Sequence, residues 1–242
     1  MRIVILGCGT GVGKTRVSVA LLRALAARGQ SALGLKPIES GIAGQGEPGR
    51  GDPAGSDAAA LTVAGSLRTQ LQHPLYALRD PVSPHLAARA QGLAIDVKRA
   101  ARWVDEAEAS VTPLVVSDRA LWTVVETAGG VFSPLALGVS NFELAQALEP
   151  AIWVLVAADA LGVLHDVSST WKAMRASGRE PDQLVLSAAR EPDASTGSNA
   201  AELTTLGIAT PSAVLARNDD RGVSALLDRL LVQAAQRGPA AR

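Results

Sequence analysis

Ile3-Val4-Ile5-Leu6-Gly7-Cys8-Gly9-Thr10-Gly11-Val12-Gly13-Lys14-Thr15 is the stretch that decides the fold. A short apolar run leads into a glycine-rich loop, and the loop leads into the helical pattern Val17 to Leu25. Strand, loop and helix start in that order make a phosphate cradle. Glycines admit positive φ and let several backbone N–H groups converge on one point, where the helix dipole also favours an anion. Lys14 is then placed to reach the outer phosphates and the Thr15 hydroxyl to bind Mg²⁺. The strict G-x-x-x-x-G-K-[ST] spacing would put its first glycine at Cys8, but the nearest one is Gly7, so the loop is a long variant. A bare glycine turn needs neither the lysine nor the hydroxyl.

Outward from this loop, apolar runs alternate with helical patterns. Strands are expected at Ile3 to Leu6, Ala32 to Lys36, Trp122 to Glu126, Ile152 to Val156, Leu184 to Ser187 and Ala213 to Leu215. Their near-continuous apolar character marks strands covered on both faces, as in a parallel sheet. Helices are expected at Lys14 to Arg28, Ser56 to Val63, Pro84 to Gln91, Asp96 to Ala109, Phe142 to Leu148, Val163 to Ser177, Asn199 to Leu206 and Gly222 to Gln236. The alternation predicts an α/β fold: a doubly wound, mostly parallel sheet flanked by helices, of the P-loop NTPase type. One domain is expected over 1–236, with a disordered tail beyond it. Val111 to Ser117 reads equally as a further strand or a frayed helix end. Gly41 to Gly55, with six glycines and two prolines, reads as a mobile loop, either a surface insertion or a lid.

Composition narrows the partners. The 23 basic and 23 acidic side chains balance, which argues against nucleic acid or an anionic membrane surface. Cys8 is the only cysteine, so there is no internal disulfide and no cysteine-type zinc cluster, and a reducing, cytoplasmic setting is expected. The first expected strand begins at Ile3, which leaves no room for a signal peptide, and no apolar stretch approaches a bilayer span.

In open α/β sheets ligands bind at the carboxyl ends of the strands. Three further segments lie there. Lys36-Pro37-Ile38-Glu39-Ser40-Gly41 places a lysine and a hydroxyl on the rim, with a rigid proline turn between them. Val124-Val125-Glu126-Thr127-Ala128-Gly129-Gly130 ends an apolar strand in a carboxylate able to hold Mg²⁺ opposite the phosphate loop, followed by glycines whose backbone can approach a second anion. Ser56-Asp57 opens a helix; Ser56 is a good N-cap, and Asp57 gains interest from Thr15 and Glu126, which with it would complete an oxygen shell for Mg²⁺.

Taken jointly, these segments resemble the ATP-dependent dethiobiotin synthetase family. That family carries a Gly-Thr-Asp-Thr-x-Val-Gly-Lys-Thr loop, Lys-Pro-x-x-Ser-Gly, a Ser-Asp helix opening, Ser-Pro-His, and Val-Glu-Gly-Ala-Gly-Gly followed by Pro-Leu. The counterparts here are Gly7 to Thr15, Lys36 to Gly41, Ser56-Asp57, Ser83-Pro84-His85, and Val125 to Gly130 with Pro134-Leu135, in the same order over the first two thirds of the chain. The resemblance implies ring closure from 7,8-diaminopelargonic acid, CO₂ or bicarbonate, and ATP, with Mg²⁺, in a homodimer. It implies that Gly9, Thr10, Gly11, Val12, Gly13, Lys14, Thr15 and Val17 bind the nucleotide. Thr15, Asp57 and Glu126 would hold Mg²⁺. Lys36, Ser40, Glu126, Gly129 and Gly130 would bind substrate, with Lys14, Lys36 and Ser40 catalytic. His165, beside Asp166, stands where the family approaches the neighbouring subunit's diamine.

The chain departs from the pattern at Cys8, Gly9 and Gly11, at Thr127, and at Leu186 to Ala189, where the family has an asparagine that reads adenine. A cobyrinate-type amidoligase would need a glutaminase domain and a nucleophilic cysteine that this chain does not supply. A partition-type regulatory ATPase would carry an early loop lysine where Cys8 and Gly9 stand, and would lack the Lys36 to Gly41 segment. A diverged paralogue with another ligand is the remaining alternative.

Overall fold

The computed structural model describes residues 1–42, 55–71, 73–116, 119–217, 219 and 221–237. In chain order the elements are β1 (Arg2–Gly7), α1 (Lys14–Ala27), β2 (Ser31–Leu35), β3 (Ile38–Ser40), α2 (Asp57–Ala64) and β4 (Tyr76–Leu78). There follow α3 (Pro84–Ala90), α4 (Val97–Val111), β5 (Leu121–Glu126), β6 (Pro134–Ala136), β7 (Val139–Ser140) and α5 (Asn141–Ala147). The chain ends with β8 (Ala151–Asp159), α6 (Val163–Ala176), β9 (Gln183–Ala188), α7 (Asn199–Thr205), β10 (Ala213–Leu215) and α8 (Arg221–Arg237).

Six strands form one sheet in the order β10-β9-β8-β1-β5-β2, and every pairing in it is parallel. Alternate side chains of each strand face opposite layers. Ile3 and Ile5 join Val17, Leu21, Leu22 and Leu25 of α1, Leu61 of α2 and Leu226, Leu227 and Leu230 of α8. Val4 and Leu6 face the other way, onto α4, α5 and α6 through residues such as Val104, Phe142 and Val167. Each fully buried leucine contributes roughly 1.5–3 kcal/mol, so the two apolar layers fix the sheet before any polar contact is counted. The expected doubly wound α/β architecture is therefore the observed one.

The connections position the site. The segment leaving β1 passes to α1 on one face, while that leaving β5 passes to α5 on the other. Their divergence opens a crevice at the carboxyl ends of β1 and β5, the switch point of the fold. Two small sheets rim the structure and had no sequence signal: β3 pairs with β4 in parallel, and β6 with β7 antiparallel.

Val111 closes α4 and Thr112–Leu114 forms a 3₁₀ turn, so that segment is a helix end and not a strand. Residue 117 lies outside the described residues, as do 43–54 of the glycine-rich segment and 238–242 of the tail. Arg237, placed in the tail by sequence, belongs to α8 and donates to Ala151 O at 2.6 Å. Among the described residues no helix is long and apolar enough to cross a membrane.

Candidate active site

The loop after β1 is held by its backbone. Cys8 N donates to Val156 O at 2.9 Å, and Val131 N donates to Gly7 O at 2.8 Å, tying the loop to β8 and to the segment after β5. Gly13 has φ +95°, and a Cβ there would lie 2.3 Å from Ser187 Oγ, so only glycine fits. The N-terminus of α1 has no side-chain cap and no acidic residue in its first turn, leaving its N–H groups and dipole to an anion. Lys14 folds back over the loop with Nζ 3.1 Å from Gly9 O. Burial pushes its ammonium down to about 8, against the pull of Glu126.

At the end of β5, Glu126 is fully buried and is met from three sides. Thr15 Oγ1 donates to its Oε1 at 2.9 Å, Lys36 Nζ donates to the same oxygen at 2.7 Å, and Ser18 Oγ lies 2.9 Å from its Oε2. Lys36 also pairs closely with Asp57. Burial works against the Lys36 charge, but Glu126 and Asp57 together raise it above the ordinary lysine value. Burial likewise opposes the charge on Asp57, and Lys36 holds that carboxyl below its ordinary value.

Asp57 owes its position to Glu39, which the sequence reading did not single out. The buried Glu39 carboxylate accepts from Asp57 N at 2.7 Å and Ala58 N at 3.0 Å, satisfying the first donors of α2. Ser56 Oγ accepts from Ala59 N at 3.1 Å, so the expected N-cap is present as well. Burial raises the Glu39 carboxyl, opposed by Lys36 and by these N–H groups. Ser18 was missed too, although it lies one helical turn beyond Thr15 and so on the same face.

These groups line a cavity of about 610 Å³. Thr10, Gly11, Gly13, Lys14, Thr15, Lys36, Ser40, Asp57, Glu126 and Gly129 all contribute to its wall. Ser40 Oγ is buried there with no hydrogen-bond partner among the described residues. Four expected residues are not among those that line it. Gly9 meets Lys14 through its carbonyl. Val12 packs against the apolar layer under α1, and Val17 is buried within it. Gly130 spends its N–H on Ser133 Oγ at 2.9 Å. Thr127 turns its hydroxyl into the sheet, donating to Ile5 O at 2.9 Å, so its side chain does not intrude on the cavity. Ser83 and Pro84 reach the cavity wall, with His85 Nδ1 2.9 Å from Ser83 Oγ. His165 is on α6 and is not among the lining residues.

Among the described residues no group of three or more His, Cys, Asp or Glu gathers as a metal cage. The donor set of one hydroxyl and two carboxylates around a single cation, Lys36, nevertheless fits Mg²⁺, which takes few protein oxygens and shares the rest of its shell with phosphates and water.

Sheet order, phosphate loop and the acid at the end of β5 define a nucleotide-binding protein of the P-loop class. A family model described as an AAA domain matches residues 1–220. The ATP-dependent dethiobiotin synthetase of Anaeromyxobacter dehalogenans is 36% identical over 211 residues, covering 86% of each chain. That of Nitrosospira multiformis is 35% identical over 172 residues, covering 71% of this chain and 68% of the relative. The signal recognition particle receptor FtsY of Elizabethkingia anophelis shares the fold alone, with a TM-score of 0.50 and 10% identity over 94% of this chain and 64% of that one. The chain belongs to the ATP-dependent dethiobiotin synthetase family.

Proposed function

We propose that this protein closes the ureido ring of dethiobiotin from 7,8-diaminopelargonic acid, CO₂ and ATP, releasing ADP and phosphate. One substrate amine adds to CO₂ as a carbamate. A carbamate oxygen attacks the γ-phosphorus and ADP departs, leaving a carbamic-phosphoric anhydride. The second amine then attacks its carbonyl carbon, expels phosphate and closes the ring.

Both reacting groups in the second step are anions, so the protein must bring them together and offset their charge. The observation that carries the reading is the Lys36 ammonium held between Glu126, at 2.7 Å, and Asp57 in the cavity that Lys14 also lines. Lys14 would hold the β and γ phosphates, with the backbone of Thr10 to Thr15 around them. Lys36 would face the carbamate and the transferring phosphoryl group, and the Ser40 hydroxyl would donate to the carbamate. Thr15, Asp57 and Glu126 would hold Mg²⁺, which when bound supplies positive charge to the phosphates. Homodimer formation and a cytoplasmic setting belong to the same reading.

Incubation with the diamine, ATP and ¹³C-bicarbonate, followed by mass spectrometry, tests it. A product one mass unit heavier at the ureido carbonyl supports the proposal. ATP consumption without labelled product would refute it.

A further inference from the structure

Asn141 opens α5 and is wholly buried, yet α5 is already capped by Ser140 and Glu143, whose side chains satisfy each other's backbone N–H groups. The Asn141 amide is thus not needed for the helix. Its Nδ2 instead donates to two carbonyls of the turn after β5, Ala128 O and Gly130 O, the latter at 2.9 Å. Among the described residues its buried Oδ1 finds no partner. An unmet buried acceptor carries a desolvation cost, so an apolar side chain would suit this position better unless the two donated bonds matter.

Their consequence follows from peptide geometry. The Ala128–Gly129 peptide is trans, so its C=O and N–H point in opposite directions. With the carbonyl drawn inward to Asn141, the Gly129 N–H is turned outward, toward the cavity that Gly129 lines. Among the described residues no acceptor meets it, whereas the next two donors along the chain are spent: Gly130 N on Ser133 Oγ and Val131 N on Gly7 O. Gly129 has φ +73° and faces Thr10 of the phosphate loop; a Cβ there would lie 3.6 Å from Thr10 Oγ1.

We propose that Asn141 is a positioning residue that aims the Gly129 N–H at the anion formed between carbamate and γ-phosphate. This rests on the ring-closing reaction proposed above. A preorganised donor of this kind acts on the transition state more than on nucleotide binding.

Asn141→Leu keeps the branched shape of the side chain and removes both donated bonds. The expected result is a fall in kcat of about 10- to 100-fold, with the KM for ATP within about twofold of wild type. Wild-type kcat in the folded variant, or equal losses in kcat and ATP affinity, would overturn the proposal. Amide hydrogen exchange on the wild-type protein, without any substrate, keeps the test independent of both the variant's folding and the assigned reaction. Gly129 should exchange at least about tenfold faster than Gly130. Equal protection of the two amides would overturn the proposal whatever the assay shows, and absence of diamine-dependent turnover in wild type would instead count against the reaction.

Discussion

Lys36 Nζ lies 2.7 Å from Glu126 Oε1, two charged groups buried together at the ends of β2 and β5. Neither strand reaches the other's ligand loop by itself. Parallel pairing of β2 with β5, Leu35 opposite Val125, brings the two side chains to one point. A buried pair of this kind is costly to form and costlier to break, because removing one partner strands the other charge.

Lys36→Gln removes the cation between two carboxylates and the group proposed to face the carbamate. Turnover should fall by at least about 10³-fold, with nucleotide affinity within about threefold of wild type. The unfolding free energy should drop by about 3 kcal/mol. Equilibrium nucleotide binding, urea unfolding and the turnover assay together check this; retained turnover would remove Lys36 from the chemistry.

Glu39→Ala leaves Asp57 N and Ala58 N without the carboxylate that fixes the start of α2. Loss of a cap costs about 1 kcal/mol. The larger effect should be on Asp57, so that the Mg²⁺ concentration giving half-maximal turnover rises about tenfold as this proposed ligand loses its fixed position. A Mg²⁺ titration at saturating substrates decides the point, and an unchanged midpoint would show that Asp57 needs no such support.

Cys8 tests the interior of the phosphate loop by pH. Burial pushes its thiol up to about 12. Only the thiolate is a nucleophile, so reactivity should be negligible at pH 8 and rise as pH climbs toward that value. Iodoacetamide followed by intact-mass measurement should find the native protein unmodified at pH 8 and the urea-unfolded protein fully modified. Rapid labelling of the native protein would contradict the raised thiol of this half-buried residue.

Arg2 donates to Glu108 through Nε and one terminal nitrogen, both at 2.9 Å, fastening α4 to β1. Burial opposes the Glu108 charge, but these bonds hold its carboxyl below the ordinary 4.5. In the window below that value the unfolded chain binds more protons than the folded one, so this contribution is present above it and is lost as pH falls through the folded pKa. Urea unfolding at pH 7 and in acid should show wild type losing stability that Glu108→Gln has already lost at pH 7, by roughly 1–3 kcal/mol. Parallel curves for the two proteins would assign the pair no role.

The six main strands were legible because each is a near-continuous apolar run, and Ala213–Leu215 matches its expected bounds. Strand β8 extends past its expected end at Val156 because Ala157, Ala158 and Asp159 carry no strand signal of their own. Strands β3, β4, β6 and β7, two or three residues each, are too short for periodicity to register. Lys14 and Thr15 were readable from the loop motif, Lys36 and Glu126 as charges ending apolar strands, and Asp57 only through the company of Thr15 and Glu126. Glu39 and Asn141 were not, since each acts on backbone groups brought near by tertiary folding: Glu39 on residues 57 and 58, Asn141 on 128 and 130. Val17 illustrates the converse, a position adjacent to the loop whose side chain the helix turns into the core.

The central claim is that this site couples ATP cleavage to carbamate formation on a diamine. The direct measurement is phosphate release from ATP, with 7,8-diaminopelargonic acid and bicarbonate each present or omitted. Release that requires both, one phosphate for each dethiobiotin formed, is the expected result. Phosphate release that proceeds equally without the diamine would contradict the account.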